Sequence, residues 1–385
     1  MLDAKAADAA RRYARWRSPF KLGIFAANCA SGLAATNIPE RWDASWANNL
    51  AIAKMADQAG IDFLLPLARW KGYPGKSDFQ GSSFEALTWA GGLLASTRSI
   101  TVFATIHVPL LHPVYAAKQM ATVDHIGGGR FGLNIVCGWN ADEFEMFGVA
   151  QREHDDRYAF GEEWWGIVKR IWSSEEPFDV RGRYFTLNGV IGRPGPWAGT
   201  NPITMNAAGS PAGRAFAIRN CDVLFTVIVD LDRGRRDLEA IGAAAREAGR
   251  QVDVFTTSYV VCRPTRKEAE EFHRYYVDEN GDWEAAEHWF QMQAANTRTR
   301  PAELRELLQY RFAAGHGCYP LIGSADDVAA GLAEMAAAGF AGTTIAFVDY
   351  VDEFPFFAAE VLPRLERMGL RLPVRAAQTI GATAS

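Results

Sequence analysis

Four side chains in one stretch of this chain have the types a ligand site needs. Asn134 lies inside the apolar run Arg130–Cys137, Glu143 sits on the loop beyond it, and Arg157 and Tyr158 stand side by side where a helical pattern begins. A buried amide needs hydrogen-bond partners, so an asparagine where valine would pack equally well faces either a ligand or a neighbouring strand. An arginine beside a tyrosine offers a planar cationic donor and a phenolic hydroxyl, a pairing suited to phosphate. Without a phosphate, an arginine on a first helical turn is a solvated charge that opposes the helix dipole.

A second candidate phosphate element is NAAGSPAGR. Ser210 as N-cap and Pro211 at the first helical position start a helix directly after a strand. Gly209 and Gly213 allow close backbone approach, and free N–H groups at such a start attract anions. An ordinary helix start would look the same. Thr105, in ITVFATIH, sits near the end of another strand, with His107 and His112 flanking the same mouth. Threonine is a good strand former and the histidines also fit as structural residues, so spacing alone gives none of the three a catalytic role. Gly127-Gly128-Gly129 leads into a strand rather than opening a helix and reads as a turn.

The elements that must position these residues follow a repeating pattern of helix, glycine stop and short apolar strand. The helix carrying Leu50, Ala53 and Met55 stops at Gly60; the one around Val328, Leu332 and Met335 stops at Gly339. Strand patterns fall at Lys21–Ala27, Phe63–Arg69, Ile100–His107, Arg130–Cys137, Ile203–Ala207, Val223–Val229, Val254–Val261 and Thr343–Val348. Strands apolar on nearly every residue belong to parallel sheets covered on both faces. Eight of them alternating with helices predict an α/β fold, a (β/α)8 TIM barrel, and no GxGxxG fingerprint supports a doubly wound sheet. Residues 1–375 are expected to form a single domain, with 376–385 a flexible tail and the start, MLDAKAADAARRYARWRS, a solvated helix. Phe178–Gly189 alternates with period two around Arg181-Gly182 and predicts a hairpin. The longest insertion, about 265–324 between strands 7 and 8, is helical by pattern and a candidate lid or subunit contact. Trp70, Tyr73 and Phe79, in the loop after the second strand, either wall a pocket or pack the loop.

Composition narrows the function classes. The chain has 385 residues, 49% of them hydrophobic, and a formal net charge of −5. No basic run favours a nucleic-acid partner. The 5 cysteines are widely spaced, with no CxxC, which favours a reducing, cytoplasmic compartment. The 7 histidines contain no HExxH, so no protein-bound metal is expected. No apolar run reaches membrane-spanning length, and the N-terminus lacks a signal-peptide core. There is no GxSxG elbow, P-loop or kinase motif set. With no obvious nucleophile, a cofactor is expected to carry the chemistry.

These residues resemble the bacterial-luciferase-like flavin monooxygenases over roughly Lys21 to Leu370. The resemblance rests on LLHPVYAAKQMATVDHIGGGRFGLNIVCGW (Leu110–Trp139), EHDDRY (Glu153–Tyr158) and NAAGSPAG (Asn206–Gly213). It is nearest the pyrimidine oxygenase, dimethylsulfone monooxygenase and dibenzothiophene-sulfone monooxygenase branch. It implies reduced FMN as cofactor, O2 as co-substrate, and a separate NAD(P)H:flavin reductase as transient FMNH2 donor. It also implies a homodimer or homotetramer. Ala68 and Arg69 match the second-strand pair that touches the flavin, and Asn134 and Glu143 match its ring and ribityl contacts. Arg157, Tyr158 and Ser210 match the phosphate contacts, and Thr105 and Asn134 match the pair that holds dioxygen beside flavin N5. Arg69 departs from the lysine of the pyrimidine oxygenase, which keeps charge but not geometry. The implied reaction is oxygenation of a small organic substrate through a flavin peroxide, with cleavage of an amide, C–S or C–halogen bond as an outcome. The competing readings are an F420-dependent oxidoreductase on the same barrel and a non-catalytic flavin-binding subunit. The substrate is not legible.

Overall fold

Runs in which nearly every residue is apolar become parallel strands buried on both faces. The computed structural model describes residues 16, 18–138, 140–296 and 305–374. Its strands are β1 (Lys21–Phe25), β2 (Phe63–Leu65), β3 (Thr101–His107), β4 (Phe131–Val136), β5 (Phe178–Arg181), β6 (Thr186–Val190), β7 (Ile203–Ala207), β8 (Val223–Phe225), β9 (Asp253–Cys262), β10 (Tyr319–Gly323) and β11 (Gly342–Ala346). The helices are α1 (Trp46–Gln58), α2 (Ala86–Ser96), α3 (Pro113–Ile126), α4 (Ala141–Met146), α5 (His154–Ser173), α6 (Pro211–Asn220), α7 (Leu231–Glu247), α8 (Arg266–Arg274), α9 (Trp283–Asn296), α10 (Arg305–Gly315), α11 (Ala325–Ala338), α12 (Tyr350–Glu360) and α13 (Leu362–Arg367).

Parallel pairing runs β1-β2-β3-β4-β7-β8-β9-β11, and β11 pairs back onto β1. This closes a (β/α)8 barrel, which leaves none of its eight strands with a free edge. Gly339 ends α11 at φ 105°, in the left-handed conformation the helix–glycine–strand pattern anticipated.

The barrel floor is aromatic. Phe63 stacks on Phe255 at 5.6 Å and meets Phe103 edge-on at 5.6 Å, and Trp16 packs against all of them. Small residues on adjoining strands make the space for these rings. A Cβ on Gly23 would lie 2.2 Å from the Phe63 ring, and one on Gly132 would lie 2.7 Å from Phe103. Side chains alternate across a strand, so the register that sends Phe103 and Gly132 inward also sends Thr105, His107 and Asn134 inward at the opposite end.

Three differences from the sequence expectations have physical causes. β2 stops at Leu65, not Arg69, because Pro66 has no N–H to continue the ladder. β8 stops at Phe225, not Val229, because the C-terminal half of β9 pairs with β10 instead. β10 itself lies within the segment expected to be helical. Its Pro320 is tolerated because β10 is an edge strand. The hairpin at Phe178–Gly189 forms as β5–β6, with a register shift between Phe178 and Val180. No helix among the described residues is long and apolar enough to cross a membrane. The expected N-terminal helix, apart from Trp16 and Ser18, lies outside the described residues, as do Trp139 and the tail 376–385.

The insertion carrying α8, α9 and α10 is fastened to the loops after β1 and β2. Asp282 Oδ2 accepts from Ser77 N at 2.7 Å, Thr36 Oγ1 donates to the Tyr276 carbonyl at 2.7 Å, and Ala35 N donates to Ala313 O at 3.0 Å. A second apolar core of Tyr73, Phe79, Trp289 and Phe312 fills the joint. Tyr73 and Phe79 therefore pack the loop and do not wall a pocket. Trp70 is exposed and meets Phe147 edge-on at 5.0 Å.

Gly23→Ala drives a methyl into the Phe63 ring and is expected to destabilise the barrel by about 1–3 kcal/mol, read as a lower midpoint in urea unfolding at unchanged slope.

Candidate active site

The C-terminal ends of β3 and β4 carry the expected pair. Thr105 and Asn134 are register partners, both buried, and Asn134 Nδ2 donates to Thr105 Oγ1 at 3.1 Å. The Thr105 hydroxyl donates to the carbonyl of Pro66 at 2.6 Å. A carbonyl can only accept, so the threonine proton is committed there and its oxygen must accept from the amide. That settles which way the Asn134 amide points: nitrogen to Thr105, with Oδ1 buried and lacking a partner.

The backbone after β2 is clamped on several sides. Asn28 accepts from Leu67 N at 2.9 Å and donates to Leu67 O at 2.7 Å, and Ser83 Oγ donates to Arg69 O at 2.6 Å. Ala68 lies between these clamped residues, half-buried on the loop. Arg69 is buried and its guanidinium engages protein groups through each nitrogen. Nε donates to Gln80 at 3.0 Å, Nη1 to Glu143 Oε1 at 3.1 Å, and Nη2 to the Tyr73 hydroxyl at 3.3 Å. Gln80 is oriented in turn by donating to the Gly32 carbonyl at 2.9 Å. Glu143 Oε1 also accepts from Trp70 N at 3.0 Å. The sequence places Arg69 and Glu143 far apart, and the fold makes them a buried ion pair.

His107 ends β3 with Nδ1 3.6 Å from Glu143 Oε2. That is too long for a hydrogen bond, and neither atom has another partner. Burial, reinforced by the Arg69 charge, pushes the His107 pKa down to about 4. His112 stands apart as the N-cap of α3, accepting from Val114 N at 3.3 Å.

Of the phosphate-type residues, Tyr158 and Ser210 meet at the start of α6, while Arg157 is turned to the loop after β4. Ser210 caps α6, with Oγ accepting from Gly213 N at 3.2 Å. The Tyr158 hydroxyl would lie 2.5 Å from a Cβ on Gly213, so only glycine admits the phenol there. Burial pushes the Tyr158 phenol up, partly offset by its hydrogen bond with Ser210. Arg157 Nη1 donates to the Gly138 carbonyl at 2.8 Å, which ties α5 to the loop after β4, and its Nε is buried without a partner. A surface groove lined by Tyr158, Ala212 and Ala215 opens between α5 and α6 beside this point.

Thr105 and Asn134 are thus brought together, as are Arg69 with Glu143, and Tyr158 with Ser210. Gln80 carried no sequence signal beyond lying in the loop after the second strand. His107 was visible at the mouth, but its position opposite Glu143 depends on a contact 36 residues on along the chain.

A parallel barrel with polar groups at its C-terminal mouth and a helix N-terminus beside them is the layout of a barrel enzyme. Residues 20–342 match the luciferase-like monooxygenase family, and the chain belongs to it. It is 31% identical over 373 residues to a pyrimidine monooxygenase of Methylobacterium radiotolerans, covering 94% of this chain and 96% of that one. It is 30% identical to an FMNH2-dependent dimethylsulfone monooxygenase of Pseudomonas putida, covering 65% of this chain and 68% of that one. Among solved structures, a riboflavin lyase with modified FMN and riboflavin superimposes with a TM-score of 0.80 at 22% identity, covering 92% of each chain.

His107 gives the site a pH signature. The unfolded chain holds its imidazole at the ordinary 6.5 while the fold depresses it to about 4, so between these values the unfolded state binds more protons. Stability is therefore lost as pH falls from 6.5 towards 4, by about 3 kcal/mol from this group. Urea unfolding of wild type and His107→Asn at pH 7 and pH 4.5 checks this: the variant should lose less stability on acidification.

Proposed function

We propose that this enzyme is a two-component monooxygenase that takes FMNH2 from a separate NAD(P)H:flavin reductase and uses O2 to oxygenate a small organic substrate. The supporting observation is the match between donor-seeking atoms at the mouth and an anion cradle beside it. Asn134 Oδ1, Asn140 Oδ1 and Glu143 Oε2 are buried acceptors without partners, at or just beyond the end of β4. Such atoms are costly unless a ligand supplies donors. The ribityl hydroxyls and ring N–H groups of a reduced flavin are donors, and its phosphate suits the α6 N-terminus with Ser210, Tyr158 and Arg157.

In this reading Ala68, Arg69, Asn134 and Glu143 hold the ring and ribityl chain. When bound, the reduced flavin supplies the electrons that activate O2, so that one oxygen atom enters product and the other leaves as water. Asn134 presents its Oδ1 and its remaining N–H to the reacting atoms. Thr105 works through Asn134, because its own proton is held by Pro66. Arg69 is neutralised by Glu143, so it orients the carboxylate and does not recruit an anionic substrate. The relatives named for pyrimidines and dimethylsulfone make small polar molecules with an amide or C–S bond the first substrates to try. The α8–α10 insertion, packed over the loops after β1 and β2, is positioned to keep water from the mouth; as a lid it would move against its fastened joint. The widely spaced cysteines support work in the cytoplasm, and the family resemblance supports a homodimer or homotetramer.

Two measurements test this. Arg157→Ala combined with Ser210→Ala should weaken FMN binding at least tenfold while leaving riboflavin affinity unchanged, because only FMN carries the phosphate. Equal losses for both ligands contradict the cradle assignment. With FMNH2, 18O2 and a panel of pyrimidines, sulfones and sulfonates, mass spectrometry should find one labelled oxygen in a product. Tight binding of reduced F420 with none of FMNH2 rejects the proposal.

A further inference from the structure

Two buried polar atoms face each other across the mouth with nothing to satisfy either. His107 Nδ1 and Glu143 Oε2 are 3.6 Å apart, their side chains 5% and 1% exposed. Glu143 Oε1 is doubly held, by Arg69 and by the Trp70 backbone N–H. The carboxylate is therefore fixed at one oxygen and free to swing about it at the other. A buried carboxylate oxygen and a ring nitrogen left in this state carry a desolvation cost that closing the gap, by less than about an ångström, would remove.

We propose that His107 is a positioning residue for Glu143. Its imidazole is held as the neutral Nδ1–H tautomer, and Nδ1–H donates to one lone pair of Oε2, leaving the other for the donors of the ligand in the mouth. A carboxylate at Nδ1 selects this tautomer because it can only accept. The groups that surround the pair favour the same state. Arg69 opposes a second cation beside it, and burial opposes an imidazolium, which is why His107 stays neutral. Glu143 is thereby braced by Arg69 at one oxygen and by His107 at the other, with no charge added to the mouth. The tautomer leaves the Nε2 lone pair as an acceptor on the opposite edge of the ring. This assignment rests on reading the mouth as a flavin site only for the identity of the ligand; the tautomer can be tested without one.

The test has a ligand-free and a ligand-bound arm. Selective 15N-histidine labelling gives seven pairs of imidazole signals, one pair per ring, and the pair lost in His107→Asn identifies residue 107. It should show the Nδ1–H tautomer at pH 7 and change tautomer or populations in Glu143→Gln. An Nε2–H tautomer or an imidazolium in the wild type overturns the proposal. In the second arm, FMN affinity is measured for His107→Asn, His107→Gln and His107→Ala. Asn places an N–H near the Nδ1 position and should stay within about threefold of wild type, while Gln and Ala should lose about tenfold. In a Glu143→Gln background, His107→Ala should have much less effect than in wild type. Equal losses in all three variants, or full additivity with Glu143→Gln, overturn it. Wild type failing to bind FMN rejects the flavin reading instead, and leaves the tautomer result to stand or fall alone. Should His107→Ala fail to fold, the Asn–Gln comparison and the wild-type tautomer carry the test.

Discussion

The β3–β4 register is the constraint on which the site depends. It sets Thr105 opposite Asn134 and places both on the inward face. Because Pro66 ends β2 early, its carbonyl has no ladder partner on that side and takes the Thr105 proton. That single commitment passes along the chain of bonds: Thr105 oxygen must accept, the Asn134 amide must present its nitrogen to it, and Oδ1 is left buried without a partner. Slip β3 by one residue and Thr105 would face the helices, away from Asn134, with Phe103 leaving the barrel floor. The same register thus packs the aromatic floor at one end of the barrel and pairs Thr105 with Asn134 at the other.

A second constraint is the buried Arg69–Glu143 ion pair. Burying two charges is expensive unless geometry and further hydrogen bonds compensate, and here Gln80, Tyr73 and Trp70 supply those bonds. Such a network adds little to stability compared with an apolar replacement, so its retention fits a requirement for a fixed carboxylate at the mouth. It also changes the meaning of Arg69. Its role is not that of a simple positive charge. A planar fork can engage Gln80, Glu143 and Tyr73 together, and an ammonium could not reproduce that arrangement.

Much of this was legible in the sequence because the signals were local. Apolar runs ending at glycine-stopped helices marked the strands, and Ser210-Pro211 marked the start of α6 and its cap. The period-two pattern marked the β5–β6 hairpin. What stayed hidden was non-local. β10 looked unlike a strand because Pro320 interrupts it, and only its edge position in the folded sheet permits that. The division of β9 between β8 and β10 depends on the same late-arriving strand. Gln80 and His107 matter through partners distant in the chain, and no spacing rule links 69, 80, 107 and 143. The sequence could not choose between a pocket wall and loop packing for Tyr73 and Phe79, because the α9 and α10 residues that cover them lie more than two hundred positions on.

In the proposed function one ligand reaches from Asn134 and Glu143 at the barrel mouth to Ser210 at the α6 N-terminus. A crystal structure of the protein soaked with FMN tests that placement most directly. The phosphate is expected within hydrogen-bonding distance of Ser210, Tyr158 and Arg157, with donors of the flavin on Asn134 Oδ1 or Glu143 Oε2. A phosphate bound elsewhere, or a flavin that leaves those acceptors without partners, would contradict it.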